Sequence, residues 1–138
     1  PANRHGTAGG RSPAQQNLIR AARGWSPSVQ DVAANCGAAG EPLSRMPLLA
    51  DSTDLKRRLV TRLRRFGASP MYPAPITAIP GAFPANAAAL TRQLPNATQW
   101  ASRLFTLPLH EWVDARSVAA IDAAVGQELA PQAVEVIE

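Results

Sequence analysis

The chain has 138 residues, 46% of them apolar but only 5% aromatic, which supports one domain whose core rests on Leu, Val and Ile. Its net charge of +4 conceals an asymmetry: residues 1–66 hold eleven basic and four acidic residues, residues 67–138 three and six. A lone cysteine, Cys36, excludes an internal disulfide, and no apolar run approaches the roughly 20 residues that span a bilayer, so a reducing cytoplasm is the expected location.

The N-terminal residues PANRHGTAGGRSP lack an apolar stretch after the arginine and do not read as a signal peptide. They begin with Pro rather than Met, which suits a processed product or a fragment. Residues 1–15 show no period and are expected to be disordered, and Leu18, Ile19 and Ala22 suggest a weak helical face. Ser26-Pro27 reads as a helix start, with Ser26 as N-cap and Pro27 at the first helical position, the helix ending near residues 35–37. Residues 1–44 are therefore set apart from a domain over 45–138.

From Arg45 the pattern sharpens. Met46-Pro47-Leu48-Leu49-Ala50 reads as a short buried strand, with Pro47 pointing to an edge or to a strand that begins after it. Asp51-Ser52-Thr53-Asp54 supplies cap oxygens for a helix whose apolar stripe is Leu55, Leu59, Leu63 and Phe66, and Gly67 supplies a left-handed terminus. Residues 68–73 form a second extended piece, and the proline-punctuated PAPITAIPGAFP a long irregular loop. Residues 85–92 suggest a helical turn or two. Asn96, with Gln99 three residues on, reads as a capping box for a short helix through Arg103. Leu104 to Leu109 is a third strand. Asp114 caps a last helix with stripe Val118, Ile121, Val125 and Leu129. The implied fold is α/β in the α+β sense: a small three-stranded sheet with helices packed on one side.

Few residues suggest chemistry. The run Lys56, Arg57, Arg58, Arg62, Arg64, Arg65 within residues 55–66 offers a basic interaction surface, but it has no interleaved aromatics and no nucleic-acid-binding motif accompanies it. A solvated helix face opposite the leucines accounts for it. His110 and Glu111 are adjacent and His5 lies in the N-terminal tail, so no metal set is expected. Cys36 has no His partner nearby, and no serine sits in a Gly-x-Ser-x-Gly context.

Several pieces in order resemble a known family. MPLLA is followed by the helix LKRRLVTRLRRFG, then SPMYP, then the Pro-rich loop, LPNATQWASRLFTLPLHEW and DARSVAAIDAAV. This series, from Arg45 to Leu129, is similar to the C-terminal small domain of the DegT/DnrJ/StrS-type sugar aminotransferases, which use pyridoxal phosphate. The resemblance implies a protein that moves an amino group from glutamate to a keto-sugar nucleotide or related ketone and works as a homodimer. It also implies that the cofactor lysine, the aspartate at the pyridine nitrogen and the phosphate-binding groups lie upstream in a large domain. Lys56, the only lysine here, stands in a helix without the strand context of a cofactor lysine. The resemblance places Tyr72 at the border of the substrate site. Many members have a His shortly after the Tyr-Pro, whereas this chain has Ala74-Pro75-Ile76-Thr77. On this reading the chain shapes a substrate mouth and is inactive alone. The alternative is a stand-alone, non-enzymatic module that binds a partner through the basic helix of residues 55–66.

Overall fold

A computed structural model describes residues 10–37, 43–70, 89 and 92–131. In chain order the elements are α1 (Pro13–Gly24), β1 (Val29–Asp31), α2 (Val32–Asn35), β2 (Arg45–Ala50), α3 (Thr53–Leu63) with a 3-10 turn (Arg64–Phe66), α4 (Pro95–Arg103), β3 (Leu104–Pro108) and α5 (Ala115–Leu129). The strands form one antiparallel sheet in the order β1-β2-β3. This is the expected mixed α+β fold on a three-stranded sheet.

The sheet register explains which side chains form the core. Along β2, Met46, Leu48 and Ala50 are buried and alternate with half-buried Arg45, Pro47 and Leu49, the period of two that a pleated strand imposes. Leu107 and Phe105 of β3 pair with Met46 and Leu48, and Val29 of β1 pairs with Ala50. Directly paired residues share a face, so these six side chains form one apolar surface. Against it pack Leu18 and Ala22 of α1, Leu55, Leu59 and Leu63 of α3, and Val118, Ile121 and Val125 of α5, in one buried cluster. Fully burying such a side chain contributes about 1.5–3 kcal/mol, so these stripes dominate the fold's stability.

Pro47 sits inside the central strand, neither at an edge nor before the strand's start. Thr106, its partner on β3, exchanges both backbone hydrogen bonds with Ser69 on the far side, at 2.9 and 3.0 Å. Pro47 therefore occupies a position that exchanges no hydrogen bonds with β3, and its nitrogen faces the β1 side. There β1 has already ended, because its last pair is Asp31 with Leu48. No ladder donor is lost.

Of the expected second extended piece, Ser69 forms an antiparallel bridge with Thr106. Residues 71–73, the whole of the proline-rich loop and most of the turn expected over 85–92 lie outside the described residues.

The cap chemistry of α3 and α5 agrees with the sequence. The Ser52 side chain accepts from the Leu55 amide at 3.1 Å and that of Asp114 from the Ser117 amide at 2.6 Å. Gly67 ends the α3 segment at φ +83°, and a Cβ there would lie 3.2 Å from Cγ of Pro108. Both facts call for glycine.

Three expectations about where helices begin are corrected. Residues 13–15 are helical: Ser12 and Gln15 form a reciprocal capping box, at 3.2 and 2.7 Å, and Pro13 opens α1 at its first turn. No helix starts at Ser26. Asp51 instead donates to the Ser28 carbonyl, Val29 to Asp31 pair with β2, and Asp31 caps the single turn α2. Burial of Val29 in the sheet outweighs the local cap signal. Asn96 does not cap α4, which begins at Pro95 with Leu94 as N-cap and no side-chain cap bond. Proline's fixed φ suits that first position better than a capping asparagine one residue inside.

The N-terminal elements belong to the same core. Leu18 and Val29 are fully buried, and Trp25 Nε1 donates to Asp122 Oδ1 of α5 at 2.7 Å. A boundary at residue 45 would cut the β1–β2 ladder.

Candidate functional site

Tyr72, the residue the resemblance places at a substrate site, lies outside the described residues. Lys56 is described, and it is structural in its contacts. It stands one residue after Leu55 in the first turn of α3, at the edge of the apolar stripe, and is only 7% exposed. Its Nζ donates to the Ala101 carbonyl oxygen at 2.7 Å. That carbonyl lies in the last turn of α4, where the helical ladder ends with Leu104 bonding to Trp100, and such terminal carbonyls need an outside donor. An ammonium at a helix C-terminus is also favoured by the backbone dipoles. Burial pushes the Lys56 pKa below its ordinary value of 10.5. Lys56 borders a surface cleft of about 390 Å³ with Thr53, Val60 and Ser102. Its nitrogen is committed to α4, and it does not fit the part of a lysine bonded to pyridoxal phosphate.

The basic helix is partly neutralised from within the molecule. Arg57 and Arg58 both pair with Asp54 on their own helix. Arg58 and Arg62 reach across to Glu128 of α5 at 3.0 and 2.9 Å, and Arg62 also bonds Gln127. The basic first half of the chain thus meets the acidic second half at the α3–α5 contact. Arg64 and Arg65 form no ion pair among the described residues.

A different cleft gathers cationic and aromatic groups. It has a volume of about 330 Å³ and lies where the start of β2, the end of β3, the 3-10 turn and α5 meet. Arg45, Arg65, Phe66, His110, Trp112 and Ser117 are among its lining residues. Arg45 is held by Nε donating to Thr106 Oγ1 at 2.7 Å and Nη2 donating to the Gly67 carbonyl at 2.6 Å. The Arg65 guanidinium lies 4.7 Å from the centre of the Phe66 ring. His110 meets Trp112 edge-to-face at 5.7 Å, and Trp112 is 82% exposed. Sequence reasoning did not find this cluster, because twenty residues separate Arg45 from Arg65 and forty-five separate Arg65 from His110. The exposed Trp-His neighbourhood was its one local signal.

His110 and Glu111 follow β3 in a turn, not on a strand. Among the described residues no group of His, Cys, Asp and Glu is arranged to hold a metal ion. Cys36 is exposed at the end of α2. No helix among the described residues is long and apolar enough to cross a membrane. Comparison with protein-family models, curated proteins and solved structures finds no match for this chain.

Proposed function

We propose that this chain is the C-terminal part of a pyridoxal-phosphate-dependent sugar aminotransferase of the DegT/DnrJ/StrS type. In this reading it shapes the substrate mouth of a cytoplasmic homodimer, with Tyr72 at the substrate border, and a lysine-bearing large domain of the same protein holds the cofactor. The observation that carries the reading is the ordered series of motifs from Arg45 to Leu129 in the sequence, whose strands β2 and β3 and helices α3 and α5 share one core. MPLLA and LFTLP pair as β2 and β3, LKRRLVTRL and DARSVAAIDAAV supply the helices α3 and α5 that cover them, and Ser69, the first residue of SPMYP, bridges to Thr106 of β3. The placement of Lys56 agrees with it, since the only lysine is a structural donor to α4.

The alternative, a non-enzymatic module that binds through residues 55–66, has less to draw on, because Asp54 and Glu128 already engage Arg57, Arg58 and Arg62. The test is to incubate the isolated chain with pyridoxal phosphate, reduce with borohydride and measure mass. The expected result is no pyridoxyl adduct on Lys56. An adduct there would overturn the division of labour between this chain and a large domain.

A further inference from the structure

The cleft between Arg45, Arg65 and Trp112 has no part in the amino-transfer reading, and its chemistry points to a ligand of its own. We propose that it binds a small aromatic acid: a single ring carrying a carboxylate or a phosphate monoester.

Three observations carry this. Two guanidinium groups line the cleft, and among the described residues no carboxylate does. The acids nearest in sequence are Glu111 and Asp114, which do not line it; Asp114 is occupied in accepting the Ser117 amide at 2.6 Å. The Arg45 guanidinium is fixed in place by Thr106 and Gly67, and its Nη1 has no partner among the described residues. A planar fork held in advance loses little freedom on binding an acid group. Finally, the walls include the exposed indole of Trp112, steadied by His110, and the Phe66 ring beside Arg65. These supply surfaces for a ring next to the charge that an acid needs.

Size narrows the class. A volume of about 330 Å³ lies at the small end of the roughly 300–1,000 Å³ typical of ligand pockets. One ring with its acid group fits, and a dinucleotide does not. The Ser117 amide is not the anion's donor, since Asp114 already accepts from it.

Calorimetric titration of the full chain tests the proposal with four probes: benzoate, phenyl phosphate, benzyl alcohol and inorganic phosphate. Benzoate or phenyl phosphate should bind, the tighter of the two identifying the acid group. The neutral ring and the bare anion should bind about tenfold more weakly or not at all, as expected when a charge-assisted hydrogen bond or the ring contact is lost. Arg65→Gln and Trp112→Ala replace exposed side chains and should leave the circular dichroism and melting temperature unchanged while each weakens the acid about tenfold. The proposal falls if neither acid binds, if benzyl alcohol binds as tightly as benzoate, or if both variants bind the acid as the parent does.

Discussion

Lys56 shows how one residue can look like chemistry and act as structure. In sequence it is the sole lysine of a basic run; in the fold it is buried and satisfies the end of a helix forty-five residues away. Its lowered pKa has a definite consequence for stability. The unfolded chain keeps the proton up to the ordinary value of 10.5, while the folded lysine releases it at lower pH. The penalty for burying the cation is therefore present at neutral pH and relieved as pH rises through the folded value toward 10.5. In urea titrations the parent should gain stability over that window relative to Lys56→Met. At neutral pH the Met variant, which leaves the Ala101 carbonyl without its donor, should lose about 1–3 kcal/mol, offset in part by removing the buried charge. A parent and variant with parallel pH profiles would show that Lys56 is not desolvated.

Asp114 gives the opposite sign. The backbone amide of Ser117, with its hydroxyl, holds the Asp114 carboxyl below its usual value of 3.8. Its contribution to α5 is complete above that value and lost as pH falls through the lower folded one. Asp114→Asn, which keeps a capping acceptor, should flatten the acid limb of the stability profile. An unchanged limb would assign the acid sensitivity elsewhere.

At the scale of elements, legibility followed the agreement of local and distant forces. In β2, α3, β3 and α5 the apolar period, the caps and the tertiary neighbours all specify one outcome, so strand, stripe and cap were readable from the chain. The start of α1 was readable in principle, since Ser12-Pro13-Ala14-Gln15 carries both a capping box and a first-turn proline. The surrounding Gly, Ala and Arg masked it. At Ser26 the local signal pointed the wrong way, because pairing of Val29 with Ala50 is decided by residues not yet reached in the chain. The Arg45–Arg65–Trp112 cleft was not legible for the same reason. Its members come from four separated segments, and only the fold brings them together. Two substitutions test the weight of α1. Ser12→Ala should cost about 0.5–2 kcal/mol through loss of the cap, and Leu18→Ala about 2–5 kcal/mol through a cavity in the core. Thermal or urea melts read both; a Leu18→Ala chain as stable as the parent would mean α1 is not part of the cooperative unit.

For the whole molecule, the charge asymmetry of the sequence becomes an internal contact. Arg58 and Arg62 of the basic half share Glu128 of the acidic half, joining α3 to α5. Glu128→Gln should lower stability by about 0.5–1 kcal/mol at low salt and less at high salt, the behaviour of partly exposed ion pairs. The same pairing withdraws charge from the face that would otherwise offer the chain as a basic docking module. What remains is an α+β unit with a committed lysine, a motif series on which the proposed aminotransferase reading rests, and a separate cationic cleft.

The most direct measurement on the central proposal uses the uninterrupted product of the gene that encodes this chain. Purified with pyridoxal phosphate and given glutamate, it should carry the cofactor on a lysine other than Lys56 and release 2-oxoglutarate in the half-reaction of amino transfer. A gene product that takes up no cofactor and leaves glutamate unchanged would contradict the account.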